Sequence, residues 1–529
     1  MGTFVQDFEG IMATQKKKPN TPSIVIIGTG FGGLGMAIQL KKAGIDSFTM
    51  LEKANNVGGT WRDNTYPGAA CDVQSHLYSF SFEPKHDWSR KFGLQDEIQG
   101  YMEHCAEKYD LNRHIRYQSE VTAARFDENA GEWVIELKDA EPIRANVLVT
   151  ATGQLNQPAF PTIPGLDSFK GKLFHSARWD HSYDLKGKRV AVIGTGASAI
   201  QFVPQIVPQV KQLKLFQRSA AWVISKPDRP FKSWEHGLFS RLPMYDRLYR
   251  TFIYWKNEGR ALGFTRFDKV LDLFALEAKW MARRHVRNPE KRRNLIPDYK
   301  IGCKRILMAN DWYQAVDNDH VDLITDGIAR IEKDAVITKD GQRHEVDAII
   351  LGTGFKATDF LSPIKIHGLE GQDLNDAWKE GAEAYKGISV SGFPNLFMLY
   401  GPNTNLSHNS IVFMLESQIH YVLEAMKGLG KKKAQYLDVK ADQQRKYVDG
   451  LQGRLEHSVW ASGCGSWYTT AAGRNVANWP GFTFTYRMMT RDFEPKDYQF
   501  KTLKPVTLNT ANKPKTKPKP AQPATNAAS

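Results

Sequence analysis

Ser23-Ile24-Val25-Ile26-Ile27-Gly28-Thr29-Gly30-Phe31-Gly32-Gly33 is the stretch whose reading decides the fold. Four consecutive β-branched residues read as a buried parallel strand. That strand runs directly into Gly-x-Gly-x-x-Gly. Residues 34–43 then carry helical character and stop at Gly44, a residue suited to the position after a helix end. Phe48-Thr49-Met50-Leu51 reads as the next strand and ends at Glu52. Each part of this unit has a task in holding a dinucleotide. Gly28 permits a tight turn, Gly30 lets the backbone approach a pyrophosphate, and Gly33 lets helix and strand pack closely. The helix start offers unpaired N–H groups and a positive dipole end to phosphates. Glu52, 24 residues beyond Gly28, is placed to accept hydrogen bonds from a ribose 2′-hydroxyl. A glycine-rich loop without a ligand leaves that acid unexplained.

Working outward, the pattern recurs. Residues 188–193 form a second predicted strand, which enters Gly194-Thr195-Gly196-Ala197-Ser198-Ala199. A helix disturbed by Pro204 follows, and then a strand over 213–216 that ends at Gln217-Arg218-Ser219. Arg218 again lies 24 residues beyond the first glycine, but here a cation replaces the acid. A carboxylate would repel a 2′-phosphate, whereas an arginine pairs with it. The first site is therefore expected to take FAD or NAD. The second is expected to take NADPH, held by Thr195, Gly196, Ser198, Arg218 and Ser219.

Two further apolar runs, 147–150 and 348–351, exit through Gly153 and Gly354. They are expected to mark crossings between domains. The fold class is then α/β, with two Rossmann-type dinucleotide-binding domains and a helical insertion. Residues 23–153 and 351–497 are expected to form the FAD domain, and 154–225 and 300–350 the NADPH domain. Residues 226–299 read as the helical insertion, whose basic run at 283–293 is expected to be a solvated helix face. Residues 1–22 and 498–529 are expected to be disordered.

The formal net charge is +14. Six lysines beyond Tyr498, with no acid among them, supply much of it. That Lys/Pro-rich tail has the composition of a solvated linker. No zinc-finger spacing or leucine zipper accompanies the charge, so no nucleic-acid partner is expected. The four cysteines (Cys71, Cys105, Cys303, Cys464) form no CxxC. They are too few and scattered for a disulfide scaffold or a metal site, which fits a reducing, cytoplasmic compartment. No apolar run reaches transmembrane length, and the N-terminus lacks the apolar stretch of a signal peptide.

Two motifs narrow the chemistry. Residues 169–180 fit FxGxxxHxxxW[PD], with Gly171, His175 and Trp179 at its marked positions. Residues 58–72 fit [AG]GxWxxxx[FY]P[GM]xxxD, from Gly58 through Thr60, Trp61, Tyr66 and Pro67 to Asp72. At these residues the sequence resembles the Baeyer–Villiger monooxygenases, over roughly residues 23–486. The resemblance implies bound FAD reduced by NADPH, capture of O₂ as a C4a-peroxyflavin, and attack on a ketone that rearranges to an ester or lactone. Such an enzyme needs a fixed cation with several donors to hold negative charge, and a site that excludes water. The resemblance places that cation at Arg305, in Ile301-Gly302-Cys303-Lys304-Arg305, with Asp72 orienting it. It implies that Lys304 supplements Arg218 on the 2′-phosphate, and that Trp61 and Tyr78 contact FAD beside Thr60. Trp467 is implied to cover NADP in a mobile loop. His175 is expected in the loop before the second Rossmann strand, coupling domains together with Gly171 and Trp179. The 401–410 segment is implied to meet the flavin ring. The competing reading is a flavin monooxygenase that oxidises mainly sulfur or nitrogen. The specific ketone and the oligomeric state are left open by the sequence.

Overall fold

The computed structural model describes residues 22–503, and its architecture grows from the two βαβ units. Ile24–Ile27 is a fully buried strand, Phe31–Lys42 the helix after it, and Phe48–Leu51 the next strand. They belong to an all-parallel five-stranded sheet ordered 396–398, 147–150, 24–27, 48–51, 115–116. Strand Ile24–Ile27 sits between Val147–Thr150 and Phe48–Leu51, so the chain changes winding direction at its carboxyl end. Open α/β sheets bind ligands at such switch points. This sheet draws strands from both ends of the sequence.

The second sheet is also parallel and five-stranded, ordered 321–324, 212–216, 189–193, 348–351, 172–175. Its Arg189–Ile193 strand is followed by helix Ala199–Ile206, with Pro204 inside the last turn. The runs 147–150 and 348–351 are strands of different sheets. The chain passes from one sheet to the other beyond each of them. Between its strands 212–216 and 321–324 lie helices Ser233–Arg241, Pro243–Glu258, Ala261–Thr265, Leu271–His285 and Pro289–Asn294.

The glycines divide into those that packing demands and those it does not. A Cβ on Gly33 would lie 1.9 Å from the Gly28 carbonyl oxygen, so helix and strand close only over glycine. Gly28 and Gly194 have φ +101° and +108°, the left-handed region. Gly30 and Gly196 are different. A Cβ there would meet nothing within 4 Å, and Gly30 has an ordinary φ of −76°. Nothing in the polypeptide requires glycine at these two positions.

Three readings of the sequence are corrected. Tyr498–Lys501 is not part of a disordered tail. It pairs antiparallel with Tyr436–Val439, because Tyr498 is buried and its hydroxyl reaches Tyr421 at 3.0 Å and Ser389 at 3.2 Å. The tail reading therefore applies only beyond Leu503, and it lies outside the described residues together with 1–21. His175 does not sit in a loop: it ends strand Lys172–His175 at the edge of the second sheet. The cysteines are not all free. Cys303 and Cys464 form a disulfide with a Cα–Cα separation of 6.2 Å across 161 residues of sequence. Spacing along the chain cannot reveal a pair that only the tertiary fold brings together.

Candidate active site

Both nucleotide cradles open into one cavity of about 1220 Å³. Single small-molecule sites span roughly 300–1,000 Å³, so this cavity has room for more than one ligand. At its first end, Gly28 and Gly30 face the start of helix Phe31–Lys42. Glu52 lies just past the neighbouring strand and is almost fully buried. One carboxylate oxygen accepts from the Thr29 hydroxyl at 2.7 Å and backbone N–H at 3.2 Å. The other accepts from Ala54 N–H at 2.9 Å and faces Arg62 at 3.0 Å. Thr60 and Trp61 open the short helix Thr60–Asp63 on the cavity wall, and the Trp61 indole N–H donates to the Tyr78 hydroxyl at 3.2 Å. Gly33 lies away from the cavity, in the helix–strand contact.

At the second end, Gly194, Thr195, Gly196 and Ser198 line the wall below Arg218 and Ser219. Lys304 reaches Ser219 Oγ at 3.3 Å and lies 4.5 Å from the centre of the Tyr299 ring. Burial, and then the charge of Arg218 beside it, lower the Lys304 pKa. Neither cation forms an ion pair with an acid among the described residues. Two cations held together with no acid in ion-pair contact form a positively charged end of the cavity.

Between the two ends, Arg305 meets Asp72. Arg305 Nε donates to Asp72 Oδ2 at 2.9 Å, Nη2 donates to the same oxygen, and Nη1 reaches the Leu406 carbonyl at 3.4 Å. Burial alone would raise the Asp72 pKa. The charge and hydrogen bonds of Arg305, with help from Lys226, outweigh it and hold the carboxyl below its ordinary range. Asp72 in turn holds the Arg305 guanidinium above its usual range. Each therefore keeps the other charged. Burial first, and then the Asp72 charge, push the thiol of neighbouring Cys71 up to about 12.

Sequence reasoning missed the parts that fix these groups in place. Gln201, on helix Ala199–Ile206, accepts from the Tyr66 hydroxyl at 2.9 Å and donates to the Ala70 carbonyl at 2.9 Å. It thereby clamps the segment that ends in Asp72 onto the second domain. Gly68 is needed there, since a Cβ would lie 2.8 Å from the Gln201 carbonyl. The disulfide ties the segment bearing Lys304 and Arg305 to the loop bearing Trp467, which borders the cavity and packs 4.4 Å from Tyr468. At 401–410, the loop leads into helix Ile411–Lys432, capped by the Ser410 hydroxyl accepting from Val412 N–H at 3.3 Å. Asn405, Leu406 and Asn409 face the cavity there.

Gly171, His175 and Trp179 lie outside the cavity. A Cβ on Gly171 would lie 2.4 Å from the Asp347 carbonyl, and Trp179 packs edge-on to Phe174 at 5.2 Å. His175 is 1 % exposed, and its Nδ1 accepts from the Ala177 N–H at 3.0 Å. Burial pushes its imidazole down to about 4, against an ordinary value of about 6.5. Between these values the unfolded chain binds a proton that the folded chain refuses. Stability is therefore full above about pH 6.5 and declines as pH falls toward 4. His175→Asn keeps an acceptor for Ala177 and cannot titrate. The melting temperature of this variant is expected to fall several degrees less over that range, while His76, buried and pushed down to about 3, retains its share. An unchanged slope would assign the acid loss to other groups.

Two parallel sheets, each with a dinucleotide cradle, facing one cavity across a fixed arginine define a two-nucleotide flavoprotein oxygenase. The flavin-binding monooxygenase-like family matches residues 21–364. The chain belongs to that family, and within it to the Baeyer–Villiger monooxygenases. It is 48% identical over 488 residues to a Baeyer–Villiger monooxygenase of Pseudomonas aeruginosa, covering 92% of this chain and 93% of that one. It is 43% identical to one of Streptomyces coelicolor, covering 92% and 94%. A steroid monooxygenase bound to NADP superposes with a TM-score of 0.81 at 30% identity, over 91% of this chain and 99% of that one. OTEMO in complex with FAD and NADP superposes with a TM-score of 0.82 at 28% identity, over 89% and 97%. Among the described residues, no helix is long and apolar enough to cross a membrane, and no cluster of ligands suits a metal ion.

Proposed function

We propose that this enzyme uses NADPH and O₂ to convert a ketone to an ester or lactone, with Arg305 and Asp72 as its catalytic pair. The observation that carries the reading is the half-buried Arg305–Asp72 pair on the wall between two nucleotide cradles. The residues suit both cofactors. Gly30 and Gly196 keep open space that the protein itself does not use, as a pyrophosphate requires. Glu52 would hold the FAD ribose, with Thr60, Trp61 and Tyr78 nearby. Arg218 and Lys304 would hold the NADPH 2′-phosphate, with Thr195, Ser198 and Ser219 beside them and Trp467 over the entrance. When bound, FAD reduced by NADPH supplies the activated oxygen that is inserted beside the ketone carbonyl.

The chain's own contribution is electrostatic. Arg305 presents a permanent guanidinium where negative charge gathers on oxygen during insertion, and Asp72 keeps that guanidinium aimed. Partial burial of the pair makes these interactions stronger than in bulk solvent. Gln201 fixes the distance between the Asp72 segment and the second nucleotide site. The direct test is a panel of ketones assayed for NADPH oxidation and ester formation with labelled O₂. One labelled oxygen in the ester is expected. NADPH oxidation that yields only sulfoxides or N-oxides would overturn the reading.

A further inference from the structure

The helical insertion carries an exposed apolar face that the catalytic reading does not use. Among the described residues, twelve of the fourteen large apolar side chains that stand exposed lie between Trp234 and Trp280. On helix Pro243–Glu258, Met244, Leu248, Phe252 and Trp255 follow one another at helical spacing and form a single stripe, 56–74 % exposed. On helix Leu271–His285, Leu273, Leu276 and Trp280 form a second stripe, 58–66 % exposed. The opposite side of this second helix is buried. Leu271, Ala275 and Ala278 pack with Ile301 over the segment that leads to Arg305. A monomer in water rarely leaves so many large apolar side chains uncovered along two helices.

Charge selects the partner. Nine exposed cations flank the stripes between Lys232 and Arg284, against one exposed acid, Asp272. Arg247 and Lys256 border the first stripe, and Lys279, Arg283 and Arg284 border the second. Arg284 lies 5.6 Å from the Trp280 ring, and Arg266 lies 5.7 Å from the Phe267 ring in the turn between the helices. The other acids are occupied: Glu235, Asp246 and Glu258 are buried, Asp268 pairs with Lys300, and Glu277 binds Ser225. A second copy docking symmetrically would set cations against cations. An anionic bilayer offers the complement. Trp, Phe and Leu enter the headgroup–acyl boundary while Lys and Arg meet lipid phosphates.

We propose that helices Pro243–Glu258 and Leu271–His285 dock this enzyme peripherally on an anionic membrane surface. The test is flotation of the full-length, FAD-loaded enzyme with vesicles of phosphatidylcholine alone or mixed with phosphatidylglycerol. Roughly tenfold or greater enrichment on the anionic vesicles is expected, falling with salt. Phe252→Ser with Trp255→Ser, and separately Lys279→Glu with Arg283→Glu, are each expected to reduce binding roughly tenfold. Both variants should keep flavin content and turnover in the absence of vesicles, which separates lost docking from lost folding. Three results would overturn the proposal. One is variants that float as well as the parent, which would assign binding to lysines outside the described residues. Another is no flotation, with a dimer that Phe252→Ser and Trp255→Ser dissociate. The third is flotation that appears only after residues 1–21 are removed.

Discussion

Arg305→Ala is expected to leave flavin reduction by NADPH within a few-fold of the parent rate and to lower ester formation by about a thousandfold. The asymmetry follows from geometry. The nucleotide cradles are built from the two sheets, Glu52, Arg218 and Lys304, none of which depends on Arg305 for its position. Ester formation needs the positive charge that Arg305 holds between them. Removing one preorganised donor costs about 10²–10³ in rate, and here a full charge is lost with the donors. The substitution also strands Asp72. Without Arg305, desolvation of Asp72 goes uncompensated and the carboxyl pKa rises, so some loss of stability accompanies the loss of rate. Arg305→Lys keeps the charge and discards the fork, and is expected to fold normally while recovering only part of the ester yield. Anaerobic stopped-flow reduction and product analysis on the same preparations separate the two half-reactions. Ester formation within tenfold of the parent in Arg305→Ala would remove the residue from the mechanism.

How much of this was legible before the structure depends on the range of each interaction. The first cradle was readable because its parts are local. Strand, glycines, helix and Glu52 fall within thirty residues, and backbone sterics fix their relations. Arg218 was readable for the same reason. Arg305 and Asp72 are 233 positions apart, and only resemblance to a family paired them. Gln201 carried no signal, since a glutamine in a helix is ordinary until its partners Tyr66 and Ala70 arrive from another domain. The Cys303–Cys464 pair was missed because the cysteines were judged by spacing along the chain. The strand at 498–501 was missed because the lysines beyond it dominated the composition, although Tyr498 is anchored by the hydroxyls of Ser389 and Tyr421. The insertion was legible as helical and basic, but its outward-facing apolar stripes were not, because helical periodicity does not say which face the fold leaves uncovered.

The second large effect is expected at the other end of the cavity. Arg218→Ala should lower kcat/KM for NADPH by roughly 30–100-fold and leave NADH within about twofold. A charge-assisted hydrogen bond is worth about 1.5–3 kcal/mol, and each 1.4 kcal/mol is about tenfold. NADH lacks the phosphate, so it has nothing to lose. Lys304→Ala is expected to act in the same direction but more weakly, since Arg218 offers a bidentate fork and Lys304 a single point charge. The two effects are not expected to add. Arg218 lowers the Lys304 pKa by proximity, so its removal relieves that repulsion and lets Lys304 carry more of the phosphate. Each single variant therefore understates what the pair does together, and the double variant should show no preference between the two nucleotides. Steady-state kinetics with both nucleotides, measured at two salt concentrations, decide the matter. A preference for NADPH that survives the double variant would move the 2′-phosphate away from this end of the cavity and leave the paired cations without a ligand.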